Sequence, residues 1–423
     1  MPHFDRPGYF YRRYITHLDL SGILNVHSAV FHYCGGCRPD RVIEEGPITD
    51  SVWCCVKSDI NPLRVLVKAL CLFVIINVLY ALIDPQHFSI SGYNLLFPGR
   101  TRLPFGDDPY TVSVDNVDAM FASHAISARK NTKEYRVALI GDSSIWGEDL
   151  GADETISEQW NALNIQCEDR TIRTYNLGYP HPSILKDLII LDKAVEYDPD
   201  LIILFVTLNT LISQRINPFL VANSARALNV VDTYNIPFTS RETLREDESS
   251  FYEKTLIGQR SNLARQIKLQ MLGVVWAATR ADIDPLSIHN DVRNNEVSDD
   301  PRYRGLQPSE DIGNLLLFSA LTAGHDMAGR VPVLIVNEPI FITTKEHSVV
   351  RYNSAYPRWA YDQYREYIAS RARKVGWNYL DLWNAVPPEF FSDAGVHLSA
   401  AGEHLLIQQI NPVLRSIACN PKP

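Results

Sequence analysis

The chain has little of what would mark a disulfide-stapled, metal-binding or nucleic-acid-binding protein. Seven of its 423 residues are cysteine; Cys34, Cys37, Cys54, Cys55 and Cys71 fall early, and only Cys167 and Cys419 follow. So uneven a spread is no disulfide framework. The Cys34-Gly-Gly-Cys37 spacing could hold zinc together with Cys54, Cys55 or His32, but adjacent cysteines are not a normal second ligand pair, and reduced, unligated thiols are the preferred reading. There is no HExxH pattern or carboxylate-histidine cluster, and no G-x-G-x-x-G or Walker-type loop, so neither a metal nor a nucleotide or other cofactor is expected. Positive charge is also short: 40 Lys and Arg stand against 49 Asp and Glu, a net charge of -9. A nucleic-acid partner rewards the opposite balance and is excluded. The deficit belongs to the C-terminal part, which holds 32 basic and 42 acidic residues after Leu82 against 8 and 7 before. Anionic substrates gain no long-range attraction from it.

What the chain does have is ordinary globular material, 46% hydrophobic and 21% charged, in a length that predicts one large domain with an appendage. One run stands apart. Leu63 to Ile83 reads LRVLVKALCLFVIINVLYALI, without a charge after Lys68; as a helix it spans roughly 31 Å, the hydrocarbon thickness of a bilayer. The alternative is a buried core helix, and Asn77 counts slightly against a span. A cleaved signal peptide is disfavoured, because some 60 residues precede the run and Asp84-Pro85-Gln86 is no small-residue cleavage site. Lys57, Arg64 and Lys68 lie at its N-terminal side and no basic residue follows until Arg100. The positive-inside rule therefore predicts a single-pass protein with residues 1–62 cytoplasmic, a transmembrane helix over 63–83, and everything after Asp84 translocated. The N-terminal cysteines then sit in the reducing compartment. Residues 1–62 show no sustained periodicity and receive no fold, and 84–134 reads as a connector with scattered Gly and Pro.

From Tyr135 onward strands and helices alternate. Apolar runs at Tyr135–Ile140, Arg173–Leu177, Leu201–Thr207, Val331–Val336 and Asn378–Leu382 predict buried parallel strands. Helical patterns cover Thr155–Leu163, Ser183–Glu196, Ile312–Met327, Ala360–Val375 and Ser399–Ile410, the last with Pro412 beyond its end. Five alternations predict an α/β domain over 135–417 with an open, mostly parallel sheet covered on both faces. An insertion over 213–308 interrupts it; Phe251–Arg280 is helical in pattern and the stretch after it polar and acidic. A lid and a helical decoration packed on the sheet are equally good readings.

Ligands of such sheets bind beyond the carboxyl ends of the strands. There the sequence places four blocks. Gly141-Asp142-Ser143 follows the first strand with a serine at the turn, which needs a neighbouring base to become a nucleophile. Asn176-Leu177-Gly178 offers a glycine amide, and Thr207-Leu208-Asn209 a side-chain amide, to a developing oxyanion. Ser392-Asp393-Ala394-Gly395-Val396-His397 brings a carboxylate and an imidazole just before the final helix. Each block alone is weak; four in order are hard to dismiss.

These blocks resemble those of the GDSL/SGNH hydrolase superfamily over roughly Tyr135 to Leu414. The resemblance implies a three-layer αβα sandwich with a mostly parallel five-stranded, flavodoxin-like sheet. It also implies Ser143 as nucleophile, His397 as base, and an oxyanion hole from the Ser143 and Gly178 amides and the Asn209 side chain. Two departures stand out. Thr207 occupies a place that is usually glycine. The carboxylate usually lies three residues before the histidine, where this chain has Ala394; Asp393 lies four before. Either Asp393 still reaches His397 or a backbone carbonyl orients the imidazole in a Ser-His dyad; Asp381 is a lesser candidate, better read as structural. His181 is a secondary candidate for the cleft, and His404 falls inside the last helix.

The expected chemistry is acyl transfer through a covalent acyl-enzyme on an acyl-ester substrate, with water as acceptor in an esterase and a sugar hydroxyl in an O-acyltransferase. The membrane helix and an external catalytic domain point to a glycan or lipid of the cell envelope. A silent glycan-binding or assembly protein, motivated by Thr207 and the displaced Asp393, is the rival. No oligomeric state is implied.

Overall fold

The computed structural model describes residues 61–83, 99–105, 115–246, 250–279 and 297–419. His32 and the cysteines before Cys71, the possible zinc ligands, and residues 84–98 and 106–114 of the connector lie outside those residues.

Helix α1, Pro62–Ile83, covers the long apolar run, and Asn77 and Ala81 are its only buried residues. It is long and apolar enough to cross a membrane. The expectation of an extended connector over 84–134 fails at its end. Asn116 caps a helix, α2, Val117–Ser123, by accepting from Ala119 N, and a 3-10 turn follows at Ala125–Ser127. Val117, Met120, Phe121 and Ile126 are buried in the main core. Short apolar segments without a clear period pack in wherever the sheet leaves room.

The α/β body runs β1 Glu134–Ile140, α3 Ser143–Trp146, α4 Ile156–Ala162, β2 Gln166–Cys167, β3 Arg170–Asn176, α5 Ile184–Ala194 and β4 Leu201–Val206. The insertion follows with α6 Leu208–Ile212, α7 Pro218–Ala222, α8 Ser224–Thr233, α9 Arg241–Glu246, α10 Phe251–Lys254 and α11 Arg260–Thr279. Then come α12 Phe318–Ala328, β5 Val333–Asn337, α13 Arg358–Val375, β6 Asn378–Asp381 and α14 Ala400–Cys419. Five strands are parallel in the order β3-β1-β4-β5-β6, as the alternation predicts; a sixth, the two-residue β2, adds an antiparallel edge beside β3. Two residues show no period, which is why the sequence hides β2.

Every residue of β1 and β4 is buried, as a sheet covered on both faces requires. Alternate side chains divide between two cores. Ala138, Ile140, Ile202, Leu204 and Val206 face one with α2, α5, α8, α12 and α13. Val137, Leu139, Ile203 and Phe205 face the other, where Ile156 and Trp160 of α4 meet Leu406, Ile407, Ile410 and Leu414 of α14. The last helix does not stop before Pro412 but continues through it to Cys419. An internal proline costs about 3 kcal/mol, and burial of Leu414 and Ala418 beyond it offsets that cost. A disulfide joins Cys167, at the end of β2, to Cys419, at the end of α14, with Cα atoms 4.9 Å apart. The absence of a disulfide framework therefore does not extend to this one bridge.

Candidate active site

Strand β1 ends at Ile140 and the chain turns through Gly141 and Asp142 into α3, whose first residue is Ser143. A Cβ at Gly141 would lie 2.6 Å from Ile145 Cγ1 and 3.1 Å from Phe205 Cβ, so only glycine lets the turn close on the sheet. Asp142 caps α3 by accepting from Ser144 N. Ser143, as the first helical residue, has an N–H without an intrahelical acceptor.

Ser143 Oγ lies 2.7 Å from His397 Nε2, and His397 Nδ1 lies 2.8 Å from Asp393 Oδ2. The four-residue spacing works because the turn folds over its own carboxylate. Ser392 N donates to His397 O across the turn, while Asp393 Oδ1 accepts from Gly395 N at 2.8 Å and His397 N at 3.1 Å. Asp393, not a backbone carbonyl, orients the imidazole. Asp381, by contrast, accepts from Asn337 and Arg365 at the end of β6 and is structural.

Burial works against the His397 imidazolium, but the hydrogen bond and charge of Asp393, reinforced by Glu148 and Asp142, outweigh it and raise the group to about 9. Burial likewise opposes the Asp393 carboxylate, and its bonds to His397 and Gly395 hold it below the usual range nevertheless. Glu148 escaped the sequence reading. Its Oε2 stands 3.4 Å from His397 Nε2, on the side facing Ser143, with the side chain half exposed. The signal was present: Glu148 follows the serine by five residues in the same turn.

The groups expected as oxyanion donors are less uniform than the resemblance implies. Gly178 packs against α3 so closely that a Cβ would lie 2.3 Å from Trp146 N. That places it beside Ser143's turn, but its amide donates to Asn176 Oδ1 at 3.0 Å and is shared at best. Asn209 Oδ1 accepts from the Tyr303 hydroxyl at 2.8 Å and from Arg304 at 3.3 Å. With its oxygen so occupied, the Asn209 Nδ2 is left as a donor. Thr207 fits the glycine's place without strain, at φ -126° and ψ 177°, and caps α6 by accepting from Thr210 N.

Beneath these turns Lys186 is fully buried, donating to Gly141 O at 2.7 Å and Tyr179 O at 2.8 Å, with Asp187 Oδ1 2.6 Å away. One side chain thus ties the Ser143 turn to the Gly178 turn. Burial raises Asp187 to about 6 despite Lys186. Glu338, just past β5, is buried against Ser144 Oγ, and burial together with the nearby Asp142 raises it well above the carboxylate range. A Lys-Asp pair inside an otherwise apolar helical run was the available signal for the first. His181 is exposed, its ring edge-on to Phe105 at 5.9 Å, and His404 is exposed on α14.

No protein-family model and no curated protein matches the sequence. Solved structures similar to it include a carbohydrate acetylesterase family member from Sinorhizobium meliloti, 13% identical, with 67% of this chain and 98% of that one covered at a TM-score of 0.32. A member of the lipolytic G-D-S-L family from Veillonella parvula is 10% identical, covering 66% and 97% at 0.32. The aryl esterase of M. smegmatis is 12% identical, covering 66% and 98% at 0.32. Likenesses of this degree stand beside the site geometry without adding weight to it.

Proposed function

We propose that the chain is a GDSL/SGNH-type serine ester hydrolase working through an acyl-enzyme. The observation that carries this is the unbroken relay from Ser143 Oγ through His397 to Asp393. The Ser143 proton passes to His397 Nε2 as Oγ bonds to the ester carbonyl carbon. The carbonyl oxygen becomes the oxyanion, held by the Ser143 amide and Asn209 Nδ2 with Gly178 at its side. The carbon–oxygen bond to the leaving alcohol then breaks, His397 returns the proton to that alcohol, and water repeats the sequence to release the acid. A sugar hydroxyl in place of water would make the same intermediate an O-acyl donor. The reach of Asp393 to His397 speaks for catalysis over the silent binding reading.

We further infer that α1 spans a membrane with the N-terminal side cytoplasmic and the catalytic domain outside, acting on an acyl or acetyl ester of an envelope glycan or lipid. The basic residues at the N-terminal side of α1 support that side as the cytoplasmic one, and the Cys167–Cys419 bridge supports the domain's side as the oxidising one.

An organophosphonate ester probe tests the mechanism: wild type should be labelled and Ser143→Ala, equally folded, should not. A folded wild type that resists labelling overturns it. A reporter fused after Pro423 that proves cytoplasmic overturns the topology. An acetyl-ester screen with and without a glycan acceptor separates hydrolysis from transfer.

A further inference from the structure

Helix α11 carries an apolar stripe that is exposed among the described residues. Ile267, Met271 and Val275, spaced by four, are 57%, 68% and 54% exposed, with Leu272 beside them. Gln266, Leu269 and Gly273, on its other side, are buried. Phe251 and Tyr252 of α10 are exposed as well. Water rarely covers such a cluster on a soluble surface. The helix has no acidic residue, and Arg260, Arg265 and Lys268 occupy its N-terminal half.

What adjoins these helices indicates what covers them. The turn between α10 and α11 touches α1: Ile257 N donates to Asn77 Oδ1 at 3.1 Å, and Asn77 Nδ2 donates to Phe73 O at 2.8 Å. The one amide in the middle of the apolar helix is therefore satisfied on both sides, as a polar group in lipid must be. Asn77 precedes the end of α1 by six residues, so the turn meets it roughly 9 Å short of its C-terminal end. Interfacial helices bury their apolar face at about 5–10 Å into the headgroup boundary. Aromatic and cationic side chains suit the same zone.

We propose that α10 and α11 form a second membrane-contacting element, lying on the bilayer beside α1 with Met271, Leu272 and Val275 among the upper acyl chains and the three cations toward anionic phosphates. The partner is a phospholipid surface. This rests on α1 spanning the membrane, and it holds the catalytic domain at two points instead of on one tether.

The test uses the full chain in vesicles of phosphatidylcholine and phosphatidylglycerol, with a fluorescent amino acid replacing Met271 or, in a second protein, Glu366 on the exposed side of α13. Emission from position 271 should shift to the blue and lose more than about half its intensity to acyl-brominated lipid, because the probe is within reach of the chains; position 366 should do neither. Asn77→Leu, which removes the acceptor of Ile257 N–H and keeps α1 apolar, should weaken quenching at 271 while the protein stays in the vesicles. Water-like emission at 271 in protein that resists carbonate extraction overturns the proposal and leaves the spanning helix standing. Blue-shifted emission that lipid does not quench, and that disappears on dilution, overturns it in favour of a second copy on the stripe. Release of the chain by carbonate removes the spanning reading and the proposal with it.

Discussion

Replacing Glu148 by glutamine should make the enzyme faster at neutral pH. His397 must be unprotonated to accept the Ser143 proton, and with the imidazole held at about 9, only about 1% of it is free base at pH 7. Glu148 Oε2 lies 3.4 Å from Nε2 with its side chain about half exposed. Under water-like screening a charge at that distance is worth about 1 kcal/mol, or about one pH unit on the imidazole. Glu148→Gln should therefore lower the apparent pKa in kcat/KM to about 8 and raise kcat/KM at pH 7 about tenfold, with the alkaline plateau changed by less than about twofold. The assay is hydrolysis of a neutral, soluble ester from pH 5 to 10 at low and high salt; salt should narrow the gap by screening the exposed carboxylate. A profile that stays in place, or moves to higher pH, would refute the claim that this carboxylate sustains the imidazolium.

Three other outcomes are expected. Tyr303→Phe frees Asn209 Oδ1 of its main donor, so kcat should fall roughly tenfold with KM nearly unchanged, against roughly a hundredfold or more for Asn209→Ala; equal effects on KM would assign Tyr303 to substrate binding. Cys167→Ser, or reduction of the wild type, should lower stability by about 2–5 kcal/mol because a very long loop is reopened, read as a fall in Tm; an unchanged Tm refutes the bridge. Burial raises Glu403 to about 8, above its unfolded value, so its contribution is fully present below about pH 4.5 and is lost as pH rises through 8. His397, raised to about 9, loses its contribution in the same direction. Tm should fall from mildly acidic to alkaline pH, and Glu403→Gln should flatten the part of the curve below pH 8; a Tm that rises over that range contradicts the assignment.

Much of the fold was legible because β1 and β4 are buried on both faces and their continuous apolar runs admit little else. Ser143 and His397 were legible because their blocks stand at strand ends and before a helix, where chain direction alone sets the geometry. Asp393 was legible as the third member beside a backbone carbonyl as its alternative, since its reach depends on a turn folding over its own carboxylate. What stayed hidden depends on partners far along the chain. The two halves of the disulfide are 252 residues apart, and no local pattern pairs them. Tyr303 reaches Asn209 from the far end of the insertion. Pro412 reads locally as a stop, yet core contacts on both sides carry the helix through it. Residues 117–127 lacked a period because they fill a gap in the core and present no regular face.

The bridge between Cys167 and Cys419 has one more consequence. Ser143 lies before the insertion and His397 after it, and so do Cys167 and Cys419 respectively. A protease that nicks the insertion would leave two fragments, one carrying Ser143 and the other His397, still covalently joined. The nicked protein should work as a two-chain enzyme, and the His397 fragment should separate only when the bridge is reduced and the β4–β5 pairing is also unfolded.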